Sequence, residues 1–190
     1  MDMNMKKLTI LSMVMLMLMP VFSQADINYK HKTLVKVLKK AGIQDLNTLH
    51  EIELTNSKTP ALAIMGKYFE IEIENKNPFK YIYIGRVNTC RSGGCAISNN
   101  LSQEDNSEYF DYFILFDKTF AVQLVKIFNY QASHGHEITA NGWLKQFVGF
   151  NGNEELTVGK DIDSVSGATI SVNTITSDIL HKTELLKNIL

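Results

Sequence analysis

The sequence predicts an α+β domain, a twisted and mostly antiparallel sheet with packed helices. Three observations carry that expectation: two stretches of paired strand-forming residues, helical periodicity near the start of the mature chain, and a helical segment that closes it. In residues 29–40 the apolar positions Leu34, Val35, Val37 and Leu38 are separated by lysines, and Gly42 follows Ala41 as a stop signal, which predicts an amphipathic helix. Its lysines read as a solvated face rather than a binding patch. Residues 67–74 alternate apolar and charged side chains, 75–78 interrupt them, and 79–87 resume with aromatic and β-branched residues, as expected of a hairpin or two neighbouring strands. A second pair follows at 109–116 and 119–130, joined by a turn at Asp117-Lys118. Between the pairs, 88–107 is polar and reads as a long loop, a length that is uncommon unless the loop is functional or held by a disulfide. A short helical stretch at 141–147, with Trp143, Leu144 and Phe147, precedes the closing helix expected over 171–180.

The first 25 residues read as a secretory signal peptide. Lys6 and Lys7 form a basic start, residues 8–19 are apolar but too short to span a bilayer, and Ser23-Gln24-Ala25 is a small-x-Ala cleavage site. Cleavage is expected after Ala25, giving a periplasmic or otherwise exported protein. The competing reading is an uncleaved anchor, which the short apolar run and Pro20 disfavour. No cysteine lies near the cleavage site, so lipidation is not expected. The mature chain holds 17 basic and 19 acidic residues, a net charge of −2, and that total points to neither nucleic acid nor anionic lipid as a partner. The expected organisation is a signal peptide at 1–25, an N-terminal helical segment at 26–60 and one domain at 61–190.

The segment Asp163-Ser164-Val165-Ser166-Gly167-Ala168-Thr169 carries the chemistry. A pattern with five specified residues arises by chance in such a chain with a probability on the order of 10⁻⁴. The bland alternative is a helix start capped by Ser166 or Thr169. Both readings share a geometry: a tight Gly-Ala turn into a helix leaves free N–H groups and a positive dipole end that stabilise a phosphate. Gly167 and Ala168 let a bulky ligand approach the backbone.

This D-x-x-S-G-A-T run, together with Gly135-His136-Glu137-Ile138 and the segment from Trp143 to Gly149, resembles a known family. Residues 109–180 are similar to the FMN-binding domain of the C subunit of the sodium-translocating NADH:quinone reductase and of the G subunit of the Rnf complex. The resemblance implies an FMN-binding-domain-like fold and a phosphoester between FMN and Thr169, made by a separate flavin transferase. Carried over by position, Ser166, Gly167 and Ala168 line the phosphate end, and Glu137, Ile138 and Trp143 border the flavin ring. The commoner role of a large aromatic such as Trp143 is that of a core anchor. Many members carry a Glu-Thr-Pro-Gly-like turn where this chain has Glu137-Ile138-Thr139-Ala140, a departure that bears on the ring contacts and leaves the attachment motif untouched.

Cys90 and Cys95 bracket Arg-Ser-Gly-Gly, and in an oxidising compartment the simplest reading is a disulfide closing a small loop. A redox-active dithiol helped by Arg91, and a zinc site of Cys90, Cys95, His134 and His136, are the sharper alternatives. No phosphate-binding loop, dinucleotide fingerprint, nucleophile elbow or haem-attachment motif is found. The expected function is that of an exported electron carrier with covalent FMN, exchanging electrons with a membrane-bound or periplasmic redox partner. The alternatives are a flavin reductase for a small substrate, and a redox-sensing binding module built on the Cys90/Cys95 pair.

Overall fold

The computed structural model describes residues 26–54, 65–72, 77–91 and 107–190. Its secondary structure lies in one compact unit, formed by Ile27–Asn99 and Asn106–Leu190. Strands β1 (Leu49–Ile52), β2 (Gly66–Ile71), β3 (Tyr81–Arg91), β4 (Ser107–Phe116) and β5 (Val122–Tyr130) form one five-stranded sheet in chain order, each antiparallel to its neighbour. The expected α+β class and the antiparallel sheet are therefore observed. The expected leader at 1–25 lies outside the described residues.

Helix α1 (Lys32–Lys40) starts later than its periodicity suggests, because His31 is its N-cap and accepts the Thr33 N–H on Nδ1 at 3.2 Å. It ends as the sequence requires. Gly42 takes φ +87°, its N–H reaches the Lys39 carbonyl, and the Ile43 N–H reaches the Leu38 carbonyl at 2.9 Å. That is a left-handed stop sealed by an apolar contact, since Leu38 and Ile43 share one buried cluster. Leu34 and Leu38 are both 0% exposed and pack against Ile71, Ile82, Ile84, Phe113 and Leu115 on one face of the sheet. Burial of each such leucine contributes about 1.5–3 kcal/mol.

The opposite face belongs to the closing helix α3 (Thr169–Ile189), which covers 21 residues and runs well past the expected 171–180. Val172, Ile175, Ile179 and Leu186 recur at helical spacing and meet Tyr68, Tyr83, Phe110, Tyr112, Ile114 and Phe116. Alternation along β4 sorts the faces: Phe110, Tyr112, Ile114 and Phe116 point to α3, while Phe113 and Leu115 point to α1. The short α2 (Asn141–Leu144) continues into a 3-10 turn at Lys145–Phe147, matching the helical stretch expected there.

Two features depart from the sequence reading. Strand β1 is a four-residue edge strand with His50 and Glu51 exposed, too short for alternation to reveal. The expected loop at 88–107 is in part strand, because β3 and β4 continue pairing through polar residues, Asn88 opposite Tyr109 and Arg91 opposite Ser107. At the β4–β5 turn the expectation holds: the Asp117 carboxylate accepts from the Thr119 N–H, the Thr119 hydroxyl, the Ala121 N–H and Gln123 Nε2. Partial burial works against the Asp117 charge, yet these donors together hold its carboxyl below the ordinary value.

At the centre of the sheet, Arg86 of β3 and Asp111 of β4 are directly opposite and form a two-pronged ion pair, Nε to Oδ1 at 2.6 Å and Nη2 to Oδ2 at 3.0 Å. Their side chains are 3% and 1% exposed. Removing one charge leaves the other buried and uncompensated. Arg86→Met is therefore expected to lower the urea-unfolding free energy by about 3–5 kcal/mol, with part of that loss recovered in Arg86→Met/Asp111→Leu.

Candidate functional site

The Asp163–Thr169 segment delivers the chain from an irregular stretch into the first turn of α3. Its first residue is fixed from both sides: Trp143 Nε1 donates to the Asp163 carbonyl at 2.9 Å, and the Asp163 N–H donates to Gln146 Oε1 at 2.7 Å. Trp143 also meets the Phe147 ring edge-on at 5.4 Å. The half-buried indole thus holds the start of the motif through one hydrogen bond and a ring contact.

The Ala168 N–H bonds to the Val165 carbonyl at 3.0 Å, and Gly167 takes φ +78° to complete this turn. A Cβ at Gly167 would meet nothing within 4 Å, so the space over it is open. Ala168 is the N-cap and supplies no side-chain hydrogen bond. The expected alternative of a cap by Ser166 or Thr169 is thus not what forms. The first helical bond runs from the Val172 N–H to the Ala168 carbonyl at 2.9 Å, which leaves the N–H groups of Thr169, Ile170 and Ser171 without intrahelical acceptors. Ser166 and Thr169 are exposed, and neither hydroxyl has a hydrogen-bond partner among the described residues.

The segment Gly135–Ile138 is brought against this helix start. Gly135 (φ +82°) lies so close that a Cβ there would stand 2.9 Å from Ser171 Oγ, 3.0 Å from Tyr130 Oη and 3.2 Å from Ala168 Cβ. Tyr130 Oη donates to the His134 carbonyl at 2.5 Å and lies 3.4 Å from Ser171 Oγ, while its ring stacks on Phe110 at 5.6 Å. Ile138 is 0% exposed in the same apolar cluster as Ala168 and Val172, so it holds the turn down, whereas His136 and Glu137 stand exposed. The two sequence segments singled out above are neighbours in space.

The cysteine expectations fall elsewhere. Cys95 and the Cys90 side chain lie outside the described residues, so neither the bridge nor the zinc set is addressed. His134 and His136 are exposed, and no cluster of three or more His, Cys, Asp or Glu suited to a metal occurs among the described residues.

Sequence reasoning did not anticipate a polar group beneath α3. Tyr112 Oη donates to Asp178 Oδ2 at 2.5 Å, Lys182 Nζ lies 3.1 Å from Asp178 Oδ1, and Tyr68 Oη donates to the Lys182 carbonyl at 2.9 Å. Lys182 is buried, with its ammonium 5.6 Å from the Tyr83 ring centroid. A cavity of about 350 Å³ opens beside it, lined by Asn88, Ser177, Asp178, His181 and Lys182 among others. The only available signal was a lysine on the apolar stripe of a helix, four residues after an aspartate.

Burial pushes the Tyr68, Tyr83 and Tyr112 hydroxyls far above their ordinary value, with the Asp178 charge adding to it. The folded state therefore keeps all three neutral while the unfolded chain ionises them near pH 10, so their contribution is intact below about pH 10 and is lost as pH rises beyond it. Stability measured by urea unfolding should fall steeply above that pH, and less steeply in Tyr112→Phe. Gly135→Ala adds a strained left-handed residue to a crowded contact and is expected to cost about 1–3 kcal/mol, read as a lower unfolding midpoint. A scan of the chain against protein-family models finds no match, and a search of the curated proteins finds none either.

Proposed function

We propose that the protein is an exported flavoprotein that carries FMN as a phosphoester on Thr169 and serves as an electron carrier for a membrane-bound or periplasmic redox partner. The observation that carries this reading is the Thr169 hydroxyl, exposed and unbonded among the described residues, on the first residue of a 21-residue helix that has no side-chain cap. A phosphate esterified there fits the residues present. The backbone N–H groups of the first turn supply donors, the helix dipole favours the single negative charge of the phosphodiester, and the space over Gly167 is open, with nothing within 4 Å of where a Cβ would stand.

When bound, the flavin supplies the electron-transfer chemistry, and the chain's own residues position it. Trp143 and Gln146 fix the start of the motif through Asp163, and Ala168 is wedged against Gly135, so Thr169 is presented from rigid structure rather than from a free loop. Exposed Glu137 and His136 stand on the turn whose Gly135 packs against this helix start, which supports a role for them in meeting a tethered ring. Attachment by a covalent bond suits an exported protein, since a freely dissociating cofactor would be diluted and lost outside the cytoplasm.

Intact mass of the exported protein, purified from cells that also make a periplasmic flavin transferase, tests this directly. An increment equal to FMN minus water is expected in the wild type and absent in Thr169→Ala, with the variant still folded because the side chain is exposed. An unmodified wild-type mass despite an active transferase would overturn the assignment. Ser166→Ala should slow the modification more than it lowers stability, which shifts by no more than about 0.5 kcal/mol for an exposed side chain with no bond.

A further inference from the structure

The lysines around α1 form a charged surface that the reading above leaves unused. Lys30, Lys32, Lys36, Lys39 and Lys40 are all exposed, and none takes part in an ion pair among the described residues. Lys67, Lys80 and Lys182, by contrast, each have a carboxylate within 3.1 Å. Residues 27–44 contain these five lysines and no acidic residue, whereas residues 45–190 hold 12 basic and 18 acidic side chains, a net −6. A nearly balanced total therefore conceals a strong separation of charge, with the positive end on one helix.

The packing of α1 fixes where that charge points. Leu34 and Leu38 are fully buried against the sheet, so Lys32, Lys36, Lys39 and Lys40 are left on the outside, around a shallow depression at half-buried Val35. No arginine and no tryptophan lies in this stretch to give the forked or deeply seated contacts that mark protein interfaces. Compact ammonium charges on flexible stems suit a diffuse negative plane.

We propose that this face of α1 docks the protein on an anionic phospholipid surface. The contact is electrostatic alone, because the apolar face of α1 is committed to the core, unlike that of a helix that inserts into the interface. It is therefore reversible and weakens with salt. Since α1 and α3 cover opposite faces of the sheet, docking leaves the α3 layer uncovered. The proposal is independent of the flavin reading, and either can fail without the other.

Co-sedimentation of the exported protein with vesicles tests it, using phosphatidylcholine alone and phosphatidylcholine mixed with phosphatidylglycerol, at low and high salt. Two variants carry the same change of charge: Lys32→Gln/Lys36→Gln/Lys39→Gln on α1, and Lys118→Gln/Lys145→Gln/Lys160→Gln on exposed positions elsewhere. Each lysine near such a surface changes partitioning about fivefold, so the α1 variant is expected to bind phosphatidylglycerol vesicles roughly a hundredfold more weakly. The control variant should bind nearly as the wild type does. Equal losses in the two variants, equal binding to both vesicle types as an apolar leader would give, or no binding by the wild type would each overturn the proposal. Capture by polyglutamate but not by vesicles, abolished in the α1 variant, would reassign the face to an acidic protein.

Discussion

The Arg86–Asp111 pair sets the register on which the rest of the molecule depends. Two charges this deeply buried are tolerable only when they face each other with their hydrogen-bonding capacity used. Here the two-pronged contact is supplemented by Asn129 Nδ2 of β5 on Asp111 Oδ2 at 2.8 Å and by the Tyr109 ring, whose centroid lies 3.8 Å from the guanidinium carbon. The Arg86 N–H, for its part, reaches the Met65 carbonyl just before β2. The pair thus touches four consecutive segments of the sheet. A one-residue slip of β3 on β4 would separate the charges and carry Phe110, Tyr112 and Ile114 to the wrong face.

From that register the candidate site follows through a β-bulge. Asp111 pairs with Asn129 and Tyr112 with Ile127, so Phe128 is an extra residue in β5. Val125 and Ile127 pack in the cluster under α3, and strict alternation would send Tyr130 to the α1 side. The bulge lets Phe128 stack on His31 of the α1 cap at 4.7 Å and Asn129 bond to Asp111, while Tyr130 returns to the α3 face. There Tyr130 stacks on Phe110 and reaches both the His134 carbonyl and Ser171. A local irregularity in one strand is what joins the Gly135 turn to the motif helix.

Much of this architecture was legible in the sequence wherever a periodic pattern met a punctuating residue. The α1 stripe ended at Gly42, and the second hairpin turned at Asp117, where a short carboxylate could gather local donors. Legibility failed where the deciding contact was distant in sequence. Strand β1 is defined by its pairing with β2, since four residues carry no period of their own. The polar ends of β3 and β4 are strand because their backbones pair. The length of α3 follows from its burial: Lys182 and Thr183 are polar residues beyond the expected end at 180, yet Asp178 and the Tyr83 ring accommodate the ammonium, and the Ile179 carbonyl accepts the Thr183 hydroxyl at 2.7 Å. The bulge in β5 left only a blurred alternation, with Phe128 and Tyr130 both aromatic.

The motif itself departs from local rules in an informative way. A helix that begins on Ala168 forgoes about 1 kcal/mol relative to one begun on Ser, Thr, Asn or Asp, and Ser166 lies two residues away without taking that role. The packing of α3 can absorb such a loss, because its buried stripe extends from Val172 to Leu186. What the arrangement gains is specific to the first turn: a small residue wedged against Gly135, an exposed hydroxyl, and donors without acceptors among the described residues. A cap would have consumed those donors. Local preference is overridden here by a tertiary contact between Gly135, Ala168 and Ser171, and such overrides concentrate at sites that serve something other than stability.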